Sequence, residues 1–317
     1  HARLSHAAMD RLRAALPDLA NTPLGPGFAS ARQTLTAAGA AFAINGPIRW
    51  NAGEGRAQVR IAAPIVARAS NGVRMTIEPL REDLDAALLQ WPGPSLHGAV
   101  ALDISGGGAP NAALLFDSIN WAPDAPFEAE GAFSVSDWRN SGGSIAANDV
   151  EFSLAVPPHG GGRLELDGPA LLTGPLGAGS VRDLAVDLDL ALDWGSGWRV
   201  SPKAACLPVR FASLEIAGLA FNDGSVPLCA LGGALISADR NGNLAGGFTI
   251  AAPRVAGRLR AGEPVTLSAR AIRGHFTAFD LEEGASEVAL AFRWAGAPSY
   301  QRIAAFARGI VEGLPRT

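Results

Sequence analysis

Between Leu184 and Trp194 every even position is apolar and every odd one is Ala or Asp, as Leu184-Ala-Val-Asp-Leu-Asp-Leu-Ala-Leu-Asp-Trp194. A period of two sends successive side chains to opposite faces, so this stretch predicts a strand with one dry and one wet face. The alternation recurs at Phe42, Ile44, Ile48 and Trp50, at Val59 and Ile61, at Val73, Met75 and Ile77, and at Val100, Leu102 and Ile104. It continues through Phe133 and Val135, Val150 to Val156, and Leu164 and Leu166. Further strands are predicted over 209–216, 219–221, 235–236, 244–250, 265–272 and 288–294. Asn71-Gly72, Asp223-Gly224 and Asn241-Gly242 are dipeptides that suit tight hairpin turns.

The chain ends follow a different period. Leu4, Ala8, Leu12, Ala15, Leu16 and Leu19 share one helical face, Pro17 marks a kink or stop, and the stretch from Asn21 to Gly27 breaks the pattern. A second helix is predicted over 29–38 with Gly39 placed to end it, and Ile303, Phe306, Ala307, Ile310 and Val311 give the tail a helical stripe. The organisation read from these patterns is an N-terminal helical segment over 1–40, a β-rich domain over 41–296 and a C-terminal helix over 297–317. About 14 to 16 strands exceed what one twisted open sheet usually carries, so the sheet must curl, close or split. The expected fold is therefore mainly β: a long, strongly curved antiparallel sheet, groove-, taco- or open-barrel-like, with short helices at both termini. A two-sheet β-sandwich is the alternative.

Composition narrows the function classes. With 48% hydrophobic and 18% charged residues the 317-residue chain can bury a real core, and 38 Gly with 22 Pro favour many short elements joined by turns. A net charge of −4 without a basic run argues against nucleic acid as a partner. Lys203 is the sole lysine, which together with abundant Ala, Gly, Pro and Arg reads as the bias of a GC-rich genome. No apolar run approaches the roughly 18 to 20 residues that span a bilayer. The chain starts without Met and without a signal-peptide pattern, as expected of a mature form or a piece of something longer.

Each possible chemical motif has a plainer reading. Asp187, Asp189 and Asp193 could do acid and base work, but they alternate with the most apolar strand of the chain and read as its solvated face. Glu282, Glu283 and Glu287 read the same way in a loop. Asp239-Arg-Asn-Gly-Asn243 resembles the start of a calcium loop, yet Leu244 stands where the sixth-position Gly belongs, so a hairpin turn is expected. Gly106-Gly-Gly108 and Gly160-Gly-Gly162 lack the helix and Lys-Ser/Thr of a phosphate cradle and read as hairpin tips. His97, His159 and His275 are scattered, and no nucleophile elbow occurs, so neither an enzyme, a metal nor a cofactor is expected. Trp50, Trp194 and Trp294 each end an alternating run, where they would plug the open end of a β layer or sit near a lipid-facing mouth.

Cys206 and Cys229 lie one at each end of a strand, turn and strand. Two readings are open: a disulfide in an exported protein, or two separate buried thiols. The segment runs Cys-x-Pro-Val…Leu-x-x-x-Gly-Leu-x-Phe-x-x-Gly-x-x-x-Leu-Cys, and it resembles a segment of the YdbH-like proteins of Gram-negative bacteria. Asn21-Thr-Pro-Leu-Gly-Pro, with helices on either side and the Phe42 strand after it, is similar to the same family. These belong with the AsmA-like and TamB-like group of long periplasmic β proteins held to the inner membrane by an N-terminal helix.

That resemblance implies a section of a groove-shaped periplasmic bridge that shields phospholipid acyl chains during transfer between inner and outer membranes. The anchor segment in the inner membrane and the outer-membrane partner would lie outside this chain, and no catalytic residue carries over. Periodicity nominates the lining: Phe152 and Leu154, then Val186, Leu188 and Leu190, then Phe248, Ile250, Leu290 and Phe292. A bridge between Cys206 and Cys229 would then pin a hairpin-like unit in the oxidising periplasm. The competing reading is a non-enzymatic β-sandwich scaffold or adhesion module without lipid, and a third is a carbohydrate-active enzyme, which needs two converging carboxylates.

Overall fold

The computed structural model is mainly β, with a large curved antiparallel sheet that is not a closed barrel. It describes residues 33–34, 36–53, 55–80, 87–140, 143–176, 179–216, 219–241, 243–259, 264–269, 271–277 and 290–294. Residues 33–34 and 36–40 are helical. The first predicted helix and the C-terminal helix lie outside the described residues, as do Glu282, Glu283 and Glu287. Two compact units divide between Gly168 and Pro169.

The first unit begins with β1 (Phe42–Asn45), β2 (Ile48–Gly53), β3 (Arg56–Ile61), β4 (Ile65–Ala69), β5 (Arg74–Pro79) and β6 (Ala87–Trp91). Longer strands follow: β7 (Leu96–Ser105), β8 (Asn111–Trp121), β9 (Phe127–Asn140) and β10 (Gly143–Val156). Pairing runs antiparallel from β1 through β4, β5, β7, β8 and β9 to β10. Strands β2, β3 and β6 form a separate three-stranded sheet. The Asn71-Gly72 turn joins β4 to β5, and Asn71 Nδ2 donates to the Thr34 carbonyl at 2.9 Å, tying the helical residues to this corner.

Strand β11 (Gly162–Leu176) crosses the division, and the second unit continues with β12 (Gly179–Trp194), β13 (Trp198–Pro202), β14 (Cys206–Ile216) and β15 (Leu219–Ala230). After these come β16 (Ile236–Ala238), β17 (Leu244–Ala251), β18 (Arg254–Leu259), β19 (Pro264–Ala269), β20 (Ala271–Thr277) and β21 (Leu290–Trp294). The long β12 pairs with both β13 and β14, and β15 pairs with β14, β17 and β18. Further pairing joins β17 to β20, β18 to β19 and β19 to β21.

The strands bend at particular residues. Asp149, Asp183 and Asp223 sit inside β10, β12 and β15 with φ of 53°, 51° and 50°, a left-handed conformation that Asp tolerates better than bulkier residues. Side-chain oxygens on neighbouring strands take up two of the amides released there: Asp149 N donates to Ser134 Oγ, and Asp183 N to Thr173 Oγ1, both at 2.9 Å. The register shifts between Ala147 and Val150, as a bulge requires. The left-handed turn at Asp183 flips the side-chain parity of β12, which is why Val181 and Leu184, an odd and an even position of that strand, pack in the same cluster.

Two expectations are corrected here. Asp223-Gly224 is not a hairpin turn but the kink within β15, and glycine is needed because the Phe211 ring lies where a Cβ on Gly224 would stand. The predicted strand over 265–272 divides into β19 and β20, which pair with different neighbours.

The main buried cluster of the second unit is Val181, Phe211, Leu219, Phe221, Val255 and Val265, with Leu184, Leu214, Val226, Leu259 and Leu267 packed against it. Burial of each large side chain contributes about 1.5–3 kcal/mol before the ordering entropy is subtracted. In the first unit Val73, Val100, Ala129 and Val150 are buried.

Candidate functional site

Cross-strand partners share a face, so the register traces each apolar surface residue by residue. In the first unit Ile77 pairs with Leu102, Leu102 with Leu114, Leu114 with Phe133 and Phe133 with Val150. Val100 pairs with Phe116, Phe116 with Gly131 and Gly131 with Phe152, while Leu154 faces Ala129. The nominated residues Phe152 and Leu154 therefore lie on one continuous apolar face, and both are half-buried. Phe116 and Phe152 meet edge to face with centroids 5.4 Å apart above the bare Gly131 backbone.

The second unit carries an apolar face of its own. Val186 pairs with Val209, Val209 with Val226, Leu207 with Leu228 and Leu228 with Ile250. Ile250 continues to Ile272, and Phe248 pairs with Ala230 and Gly274. Leu188 and Leu190 follow Val186 at the same parity along β12, and Leu190 faces Pro202. Val186, Leu188, Leu190, Phe248 and Ile250 are each half-buried, whereas Leu207, Val209 and Phe211 between them are buried. Register sets Phe292 opposite Leu267 and Leu290 opposite Ala269.

Phenylalanines on these faces lie over cross-strand glycines. Phe211 covers Gly224, Phe221 reaches within 2.8 Å of a Cβ position on Gly257, and Phe248 comes within 2.7 Å of that on Gly274. The rings lie along the sheet, so the apolar surface is smoothed by backbone glycine.

The opposite face of β12 is polar. Asp193 pairs with Arg199 at 3.3 Å, Asp189 with Lys203 at 3.3 Å and Asp187 with Arg210 at 3.5 Å. Asp189 also accepts from the Ala204 amide at 3.0 Å. Each carboxylate is thus matched to its own cation rather than to another carboxylate. Such exposed pairs contribute about 0–1 kcal/mol each.

The Asp239–Asn243 stretch is a turn between β16 and β17. Asp239 Oδ1 accepts from the amides of Asn241 and Asn243, and Oδ2 from the Asn243 side chain. The Asn243 side chain and amide hold the Asp239 carboxyl below its ordinary value. Among the described residues no group of His, Cys, Asp and Glu is arranged to hold a metal. A shallow cavity of about 550 Å³ opens at the β12–β13 hairpin between Trp194, Trp198, Arg199 and Asp239. It contains none of the nominated lining residues.

Cys206 and Cys229 are directly opposed partners of β14 and β15, joined as a disulfide with Cα atoms 3.9 Å apart. Trp50 corrects the plug expectation: it is 65% exposed, within β2 at the edge of the small sheet. Trp194 ends β12 opposite Trp198 and is half-buried. Two exposed residues that periodicity did not nominate, Leu89 and Trp91, come from β6, whose short run beside Pro92 carried no alternation signal. Among the described residues no helix is long and apolar enough to cross a membrane.

The fold and these faces define a class of protein: mainly β and antiparallel, with apolar side chains gathered in register on one side of the strands. Comparison with protein-family models, curated proteins and solved structures finds no match for this chain.

Proposed function

We propose that the chain is a non-enzymatic section of a periplasmic protein that shields phospholipid acyl chains on apolar β-sheet faces for transfer between inner and outer membranes. The observation that carries this reading is the state of the nominated residues. Phe152, Leu154, Val186, Leu188, Leu190, Phe248 and Ile250 stand on register-continuous apolar faces and are half-buried, so each retains apolar surface that an acyl chain could cover. The sequence resemblance of the Cys206 to Cys229 segment points to the same class, and the disulfide suits an oxidising compartment. Transport on such a face is passive: acyl chains stay on the dry side while headgroups remain in water.

Native mass spectrometry with lipid extraction, on protein purified gently from a bacterial envelope, tests the reading. Bound phospholipid at near-stoichiometric level is the expected result. A clean protein mass with no recoverable lipid would turn the assignment toward a scaffold module without lipid.

A further inference from the structure

The three-stranded sheet of β2, β3 and β6 is amphipathic, but its apolar side is left outside. Register aligns Ile48 with Ile61, Trp50 with Val59, Val59 with Leu89 and Ala57 with Trp91, which makes one face wholly apolar. On that face Ile48 is 60% exposed, Trp50 65%, Leu89 40% and Trp91 60%. Single exposed apolar side chains are ordinary, whereas four large ones gathered on a small sheet mark an interaction surface.

The other face says what kind of surface it meets. It bears Arg49, Asn51, Arg56, Gln58 and Arg60, with Arg49 directly opposite Arg60. Like charges at opposed positions destabilise a sheet unless an anion lies between or beside them. The three strands contain Arg49, Arg56 and Arg60 and no carboxylate; in the sequence Glu54 falls between β2 and β3, and Glu82, Asp83 and Asp85 shortly precede β6. Arg60 donates from one terminal nitrogen to Gln58 Oε1 at 3.0 Å, while its buried Nε meets no acceptor among the described residues.

We propose that this sheet docks on the surface of an anionic phospholipid bilayer. Trp50, Trp91, Ile48 and Leu89 enter the boundary between headgroups and acyl chains, where the amphipathic indole is most at home. Arg49, Arg56 and Arg60, one sheet thickness further out, reach lipid phosphates with planar guanidinium groups that bind them bidentately. The geometry is that of an interfacial amphipathic element, apolar below and basic above, built here from strands instead of a helix. This goes beyond carrying acyl chains and does not depend on it.

Flotation of the full chain with phosphatidylcholine vesicles, with and without phosphatidylglycerol, tests the proposal. The expected result is binding to the anionic vesicles, weakened by salt and lowered about fivefold each by Arg49→Gln and Arg60→Gln. Trp50→Ser with Trp91→Ser abolishes it, circular dichroism confirming that the variant keeps its β content. Because a Ser variant could unfold, Trp50→Phe with Trp91→Phe gives a second reading. Quenching by brominated acyl chains, present in the native protein, falls in that variant while vesicle binding persists. Equal flotation with neutral vesicles, or flotation unchanged by the arginine or the Trp→Ser changes, overturns docking. Lipid retention is measured separately, so its loss with flotation intact defeats the lipid-carrying reading alone.

Discussion

Gly131 shows how closely the backbones approach where aromatic rings cover a strand. A Cβ there would overlap the Leu115 carbonyl oxygen, a backbone atom that cannot swing aside. Gly131→Ala is therefore expected to destabilise by about 1–3 kcal/mol or more, whereas Gly53→Ala, with nothing within 4 Å, is expected to be close to neutral or mildly stabilising. Thermal unfolding of the two variants side by side checks this. Asp183 offers a second contrast at the same scale. Its left-handed φ makes Asp183→Val costly, by about 1–2 kcal/mol, while Asp183→Gly fits the backbone. None of these positions stood out in the sequence. A glycine beneath a phenylalanine and a left-handed aspartate within a strand look like any other Gly or Asp until a neighbouring strand is in register with them.

At the scale of elements, the β14–β15 pair combines a disulfide with a run of apolar cross-strand partners. Removing the bridge as Cys206→Ser with Cys229→Ser opens a loop closed over a sequence separation of 23, for which the chain-entropy argument gives about 3 kcal/mol of lost stability. Denaturant unfolding of the variant against the oxidised protein measures it. The β16–β17 turn makes a prediction in pH. Hydrogen bonds from Asn243 favour the charged form of Asp239, so its folded pKa lies below its unfolded one. A depressed carboxyl contributes stability that is present above the unfolded value and is lost as pH falls through the folded one. Asn243→Ala should raise the Asp239 pKa toward its ordinary value, read directly by carboxyl-carbon NMR titration; an unchanged titration would mean the turn is not held this way.

Most of the strands were legible as elements because alternation survives wherever one face is dry, as in 184–194. The short strands β4, β6, β13 and β18, with few residues each, and the split of 265–272 into β19 and β20, were not, nor was the long β8, whose consecutive apolar run from Ala112 to Phe116 hides the alternation. A segment of five or six residues shows too few alternations for a period, and where a strand stops depends on which neighbour it pairs with.

For the molecule as a whole, the lipid-carrying reading predicts that polar changes on the half-buried margin affect cargo more than folding. Leu188→Asn and Phe248→Ser are expected to reduce co-purified phospholipid several-fold with modest loss of melting temperature. Phe221→Ser, in the buried cluster, should cost the fold itself about 3 kcal/mol or more. Equal lipid yields from the native chain and both margin variants would assign those residues to packing alone.

The amino-acid sequence by itself determined the class: period-two patterning, frequent Gly and Pro and few charges commit the chain to antiparallel β structure, because a strand with one wet face needs that pattern to hide the other. It also placed Phe152, Leu154, Val186, Leu188, Leu190, Phe248 and Ile250 at apolar positions of their strands. Tertiary structure alone decided where each pattern breaks, since a left-handed Asp reverses the parity of everything after it. It also decided which apolar residues are covered: Val150 and Phe211 are buried, while Trp50 and Trp91 remain in the open. Burial is a property of neighbours from distant parts of the chain, and one-dimensional periodicity carries no information about them.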